Sequence, residues 1–265
     1  MLLYIKQSKQ SIIDAVFEQI IAFMSIFESF GDYMNKNREK EILEILLRQK
    51  NVTVKQLANS LFISEPSIRR DLTSLEKQHL IKRIHGGAVL EETLLSKNKI
   101  PFLIREYEQS SAKVLIAKKA IDLIEDDTVI FLDASTSCYY LIPFLASKRN
   151  ITVITNGVKA LSKLAEYDIN TISTGGTLVN SCLALVGEEA FKTIESYNAD
   201  IAFFSCRGLS DDGYLTDIAP DENNVRKRMI NHSKKSYLLC ATEKFGKKYF
   251  HNLCHLEEIS GLINE

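Results

Sequence analysis

Two patterns that would point to nucleotide chemistry are missing from this 265-residue chain: it contains neither a GxGxxG fingerprint nor a GxxxxGK[ST] phosphate loop. Dinucleotide and nucleoside-triphosphate reactions therefore have little support. No Ser/His/Asp or Cys/His arrangement stands out, so hydrolysis through an activated nucleophile has little support either. Long apolar runs are lacking as well. The apolar stretch marked by Ile12, Ile13, Val16, Phe17, Ile20, Ile21, Met24 and Phe27 is bracketed by Glu18 and Glu28 and is too short to span a bilayer. No small-residue cleavage site follows it, which speaks against a secretory signal. Cysteine is sparse: Cys138, Cys182, Cys206, Cys240 and Cys254 are odd in number, widely spaced and mostly in apolar context. They do not form a disulfide framework and read as reduced thiols of a cytoplasmic protein. His251-Asn-Leu-Cys-His255 has metal-like spacing but no second cluster, so the two histidines and the cysteine read as ordinary surface residues. No metal centre and no cofactor are expected.

What the chain does hold is an uneven charge distribution. The net charge is −1, yet residues 34–90 carry 11 Lys+Arg against 6 Asp+Glu. Residues 91–265 carry 20 against 24, and residues 1–33 carry 2 against 4. The positive charge is confined to one segment, as expected of a surface that meets phosphate backbones. Residues 1–33 read as a helical extension with one wide apolar face, either lying upstream of a start at Met34 or serving as an added dimerisation helix.

Within the basic segment, Ile42 to Leu47 make a first helix, Asn51-Val-Thr53 a short break, and Val54 to Leu61 a second helix. Phe62-Ile63-Ser64 is a turn into a third. Ser64 is the expected N-cap and Pro66 falls in the first turn, where its missing N–H costs little. Ile68, Leu72 and Leu75 form the buried stripe, leaving Ser67, Arg69, Arg70, Ser74 and Lys77 on the remaining surface. Leu80 to Ile84 and Ala88 to Leu90 then flank His85-Gly86-Gly87, whose paired glycines permit the positive φ angles of a tight hairpin. Three helices and a wing predict a winged helix-turn-helix domain over residues 34–90, a small α+β unit whose third helix enters the major groove. Ser64, Ser67, Arg69 and Arg70, with Lys82, Arg83 and His85 of the wing, are the expected contacts to double-stranded operator DNA.

Residues 91–105 lose periodicity and read as a linker. From residue 106 to 265, strands alternate with helices. The strands are expected at Val129–Leu132, Ile151–Thr155, Thr171–Ser173, Ile201–Ser205, Ser236–Leu239 and Ile259–Leu262. The helices are expected at Lys113–Ile124, Thr136–Leu145, Val158–Glu166, Glu188–Ser196 and Asn223–Asn231. This pattern predicts an α/β domain with a mostly parallel, Rossmann-like sheet whose ligands bind beyond the strand C-terminal ends. Polar loops fall at three such ends. Asp133, Ser135, Thr136 and Ser137 would offer a hydroxyl acceptor and an anion site; Thr155-Asn156 and Gly175-Gly176 would line the same crevice. Glu222 and Lys244 would add a carboxylate and a cation.

Several stretches resemble the DeoR family of bacterial transcription regulators. They are Ser64-Glu-Pro-Ser-Ile-Arg-Arg-Asp-Leu72, Leu75-Glu76 and His85-Gly-Gly-Ala88 in the first domain. In the second they are Leu132-Asp133, Val153-Ile-Thr-Asn156, Gly175-Gly176, Gly187, Gly213 and Lys244-Phe-Gly246. The resemblance implies a sensor domain similar in fold to ribose-5-phosphate isomerase, a phosphorylated sugar as effector, and repression of genes for that sugar's catabolism. Ser135 and Ser137 stand where the family usually has Gly and Thr, and Ala241 where it usually has Asp. The expected function is thus a sugar-phosphate-responsive repressor, not an enzyme, acting as a homo-oligomer on a two-fold operator and having no membrane partner. Two alternatives are open: an activator on the same scaffold, and an isomerase with an appended DNA-binding module that uses Asp133 or Glu222 as base and Lys244 as phosphate anchor.

Overall fold

In the computed structural model the described residues are 38–47, 49–78, 80–90 and 102–265. The amphipathic segment before Met34 and most of the expected linker lie outside them. The chain divides into two compact units, Met1–Glu92 and Thr93–Glu265.

In the first unit, helix α1 covers residues 38–47 and is followed by β1 (Asn51–Thr53), α2 (Val54–Leu61), α3 (Glu65–Lys77), β2 (Ile81–Ile84) and β3 (Gly87–Leu90). The stripe expected from the sequence is the core: Ile68, Leu72 and Leu75 are fully buried beside Ile42, Leu43, Leu46 and Leu57. Three details differ from expectation. Asn51-Val-Thr53 is not a mere break but a strand pairing antiparallel with β3, which makes the wing three-stranded. Ser64 occupies the N-cap position, yet its side chain makes no cap bond; its hydroxyl donates to Ser67 Oγ instead. The hairpin needs only one glycine for its turn, Gly86 at φ +78°, because Gly87 already belongs to the strand. Gly87 is required for space: a Cβ there would collide with the Val52 carbonyl oxygen of β1.

The second unit opens with α4 (Phe102–Tyr107), so residues 102–105 are helical rather than linker, anchored by buried Phe102 and Ile104. Helix α5 (Ser110–Ala120) begins before the expected Lys113, with Gln109 in a left-handed conformation ahead of it. Next come β4 (Val129–Leu132), α6 (Thr136–Tyr139), α7 (Ile142–Leu145), β5 (Thr152–Thr155), α8 (Val158–Glu166) and β6 (Asn170–Ser173). The helix expected over 136–145 is split in two, because Pro143 has no N–H to give the Tyr139 carbonyl. A hairpin of β7 (Thr177–Val179) and β8 (Ala184–Val186) leads to α9 (Glu188–Glu195) and β9 (Ala199–Phe204). The chain ends with β10 (Gly208–Leu209), β11 (Tyr214–Asp217), α10 (Pro220–Asn231), β12 (Ser233–Leu239), β13 (His251–His255) and β14 (Gly261–Ile263). His251 and His255 are thus strand residues in an antiparallel ladder with β11.

Six strands form one parallel sheet in the order β14-β12-β9-β4-β5-β6. Alternation along β4 serves both faces: Ile130 and Leu132 pack with Ile116, Val153 and Phe203, whereas Phe131 packs with Ile154, Val225 and Met229 on the other side. Counted along the chain, the strand order runs 3-2-1-4-5-6, so chain direction across the sheet reverses between β4 and β9. In open α/β sheets that reversal leaves a crevice beyond the strand ends, where ligands bind.

Candidate functional site

The basic face of the first unit is built on α3. A bidentate pair, Arg38 Nε and Nη2 to the two Asp71 carboxylate oxygens at 2.5 and 2.6 Å, ties α1 to the buried side of this helix. Arg69 and Arg70 are left exposed on the other side. Arg69 pairs with Glu65 at 3.2 Å and Arg70 donates to Ser67 Oγ at 3.1 Å. Such exposed contacts hold little energy and exchange readily for a phosphate or a base. Ser64, Lys82, Arg83 and His85 are exposed and Ser67 is half-buried. Arg83 is also a brace, since its Nη1 donates to Thr73 Oγ1 at 2.9 Å and its N–H to Glu76 Oε1 at 3.0 Å, both on α3.

In the second unit the crevice at the reversal is organised by Asp133, the residue after β4. Its Oδ1 accepts from the Ser135 N–H at 2.9 Å, and its Oδ2 accepts from the Ser205 N–H at 3.3 Å and from Arg226 Nε at 2.8 Å. Asp133 is therefore a buried fastener, with both oxygens already engaged within the protein. Ser135 caps α6 by accepting from the Cys138 N–H at 3.2 Å, the ordinary role of a serine at a helix start. Arg226, on α10, also reaches Asp217 Oδ2 at 2.8 Å, Asn223 Oδ1 at 3.0 Å and Glu222 Oε2 at 3.3 Å. Burial opposes its charge, but the carboxylates of Asp217, Asp133 and Glu222 outweigh burial and hold the guanidinium well above its usual range. Asp217 responds in kind: burial pushes its carboxyl up, and Arg226 brings it below the ordinary value. Removing the arginine would strand buried carboxylates, a defect that typically costs about 3–5 kcal/mol.

Lys244 sits in the short turn after β12 and is half-buried, with its Nζ donating to Ser205 Oγ at 2.9 Å. Asp133, Glu222 and Lys244 are thus joined in one network, through Ser205 on one side and Arg226 on the other. Neither linking residue was singled out from the sequence. Arg226 reads there as one more polar residue of an amphipathic helix, and the one hint is its position on the buried side with Val225 and Met229.

Thr155, Asn156, Gly175 and Gly176 assemble at the ends of β5 and β6. The Thr174 N–H donates to the Thr155 carbonyl at 3.1 Å, and Asn156 Nδ2 donates to the Leu185 carbonyl at 3.0 Å. Gly157 draws this loop against that of β4, since a Cβ there would lie 3.1 Å from Ala134 Cα. Thr136 is buried at the start of α6. Among the described residues, Ser137 Oγ and Asn156 Oδ1 are buried without a hydrogen-bond partner. No group of three or more His, Cys, Asp or Glu residues able to hold a metal occurs among the described residues, and no described helix is long and apolar enough to cross a membrane.

Comparison with known proteins agrees in both units. Residues 38–93 match the family model described as DeoR-like helix-turn-helix domain, and residues 108–265 match the DeoR C terminal sensor domain. An uncharacterized HTH-type transcriptional regulator of Bacillus subtilis is 33% identical over 229 residues, covering 86% of this chain and 88% of that protein. The L-fucose operon activator of Escherichia coli is 31% identical over 233 residues, covering 88% and 96%. Among solved structures, ribose 5-phosphate isomerase A of Methanocaldococcus jannaschii aligns with 52% of this chain and 55% of its own at 16% identity and a TM-score of 0.40.

Proposed function

The chain belongs to the DeoR family of transcriptional regulators, with a helix-turn-helix domain and a sensor domain, and on that premise we propose that it represses a carbohydrate-catabolism operon and is released from DNA by a phosphorylated sugar. The observation that carries this reading is the crevice at the strand-order reversal. There Lys244 presents a half-buried ammonium beside Ser205. A lysine held at the strand ends suits a phosphate. The unused hydrogen-bonding capacity of Ser137 and Asn156 suits a polyhydroxylated ligand. Asp133 and Glu222 then serve by positioning Ser205 and Arg226, and this arrangement favours recognition over an isomerase reaction, because both carboxylates are engaged by protein donors.

On the DNA side, Arg69 and Arg70 with Ser67 would read bases, and Ser64, Lys82, Arg83 and His85 would meet flanking phosphates. A two-fold operator calls for a homo-oligomer. Release requires that the sugar phosphate bind more tightly to the arrangement that cannot hold DNA. An activator is the second reading, favoured by the 31% identity to a protein named as an operon activator.

The test is fluorescence anisotropy on the DNA upstream of the protein's own gene, repeated with a panel of sugar phosphates. One phosphorylated sugar is expected to displace the DNA while its unphosphorylated parent does not. Arg70→Ala is expected to weaken specific binding at least tenfold. Binding unmoved by that substitution would remove α3 from the interface, and indifference to every sugar phosphate would remove the effector assignment.

A further inference from the structure

Strands β9 and β12 run parallel with Leu238 opposite Phe204. Two residues further along each chain come Cys240 and Cys206, and the continuing register sets them opposite one another. The two segments stay together past the ladder, because Ser205 Oγ donates to the Leu239 carbonyl at 2.6 Å. Side chains alternate along a strand, so Cys206 shares a face with Phe204, and Cys240 with Leu238. All four lie in one buried cluster. Neighbouring strands run about 4.8 Å apart, inside the Cα separation that a disulfide can bridge.

We propose that Cys206 and Cys240 form a peroxide-oxidisable dithiol that closes into an intramolecular disulfide at the rim of the crevice. The Cys206 thiolate attacks one oxygen of hydrogen peroxide and breaks the O–O bond; the departing hydroxide takes up the thiol's proton, leaving a sulfenic acid and one water. The Cys240 sulfur then attacks the sulfenic sulfur, and its proton leaves with the hydroxyl as a second water. Two thiols lose two electrons, and the peroxide gains them.

The surroundings assign these roles. Contact with Cys240 lowers the Cys206 thiol below its usual range, and Lys244 and Arg226 add to that against the effect of burial. The same contact, with burial, pushes Cys240 up, and its Sγ donates to the Ala241 carbonyl at 3.7 Å, so it keeps its proton until the second step. Cys254 shares the cluster and is the competing partner, but burial raises its thiol to about 12. Cys206 is 4% exposed and Cys240 fully covered, which admits an oxidant the size of water far better than a bulky disulfide.

The disulfide would tighten the two segments that carry Ser205 and Lys244, whose side chains meet at 2.9 Å. A change in effector affinity is therefore expected, and that consequence alone rests on the sugar-phosphate reading.

The experiment treats the full-length native protein with hydrogen peroxide, alkylates it in denaturant and maps its peptides without reductant. The expected result is a Cys206–Cys240 linked peptide, two of the five free thiols lost, and recovery of both with dithiothreitol. In Cys240→Ser, Cys206 is expected to stop at a sulfenic acid that dimedone captures. A link from Cys206 to Cys254, sulfinic acid at Cys206 beside reduced Cys240, or five intact thiols at peroxide levels that oxidise free cysteine would each overturn the proposal. Sugar-phosphate titration of oxidised and reduced protein reads the consequence separately, with a several-fold change in affinity expected. An unchanged affinity in cross-linked protein refutes the effect on the crevice while the dithiol stands.

Discussion

Lys113 is a cation in surroundings that oppose its charge. It is 4% exposed, and its ammonium donates to the carbonyls of Arg105 and Glu108 and lies 5.9 Å from the Tyr140 ring centre. Burial, followed by the positive charge of Lys244, pushes its pKa down to about 7. In the unfolded chain the same group titrates near about 10.4. Below about pH 7 both states hold the proton and the fold bears the full cost of a buried charge; above about pH 10.4 neither state does. Between those limits the unfolded chain binds a proton that the folded chain does not, so this group makes stability rise with pH, by at most about 1.4 kcal/mol per pH unit. Lys113→Met is predicted to flatten that rise. Urea denaturation of both proteins at intervals from pH 7 to about 9.5 checks it, and parallel curves would mean that Lys113 is not the group responsible. This role is invisible in the sequence, because a lysine near a helix start reads as solvated until the helix before it closes over its side chain.

At the scale of elements, what the sequence revealed follows the physics of burial. The strands of the parallel sheet were legible because burial on both faces of its inner strands demands continuous apolar, β-branched runs; Val129–Leu132 is found as read, and the others differ by a few residues at their ends. Strands β1, β7, β8, β10, β11 and β13 were not legible. They are only two to five residues long, and a partner strand defines each more than its own pattern does. The break at residues 51–53 illustrates this, since Thr53 both ends β1 and opens α2 with a capping box, trading bonds with Gln56 at 2.9 and 3.2 Å. Thr53→Ala is predicted to cost about 1 kcal/mol, measurable by thermal or urea unfolding. The two wing glycines give a sharper contrast. Gly86 has open space and a positive φ, which asparagine tolerates, whereas Gly87 has an ordinary angle and no space. Gly86→Asn is expected to leave the domain folded and Gly87→Asn to unpair β1 from β3. Equal melting temperatures for the two variants would contradict the packing of this sheet.

At the scale of the molecule, the candidate site draws residues 133, 205, 222, 226 and 244 together only because the strand order reverses between β4 and β9. No local pattern joins them, so a sequence could suggest Asp133, Glu222 and Lys244 separately while leaving their linkers, Ser205 and Arg226, unseen. This division of labour separates two substitutions that would otherwise look alike. Among the described residues the Lys244 side chain makes one hydrogen bond, to Ser205 Oγ, and is half-buried, so Lys244→Gln removes a charge without stranding another buried ion. Asp133 is buried against Arg226, so Asp133→Asn takes one of three carboxylates from a closed ionic cluster and turns one of its two acceptor oxygens into an amide donor facing other donors. The first is predicted to keep its melting temperature and DNA affinity while raising the sugar-phosphate concentration needed for release at least tenfold, a loss of about 1.4 kcal/mol or more of effector binding. The second is predicted to lose stability by several kcal/mol and to lose release as a by-product. Calorimetry and anisotropy on the same preparations distinguish them. If Lys244→Gln melted as early as Asp133→Asn, the lysine would belong to the ionic frame and the phosphate would have to be held elsewhere; if both kept full stability and lost release equally, Asp133 would touch the ligand after all.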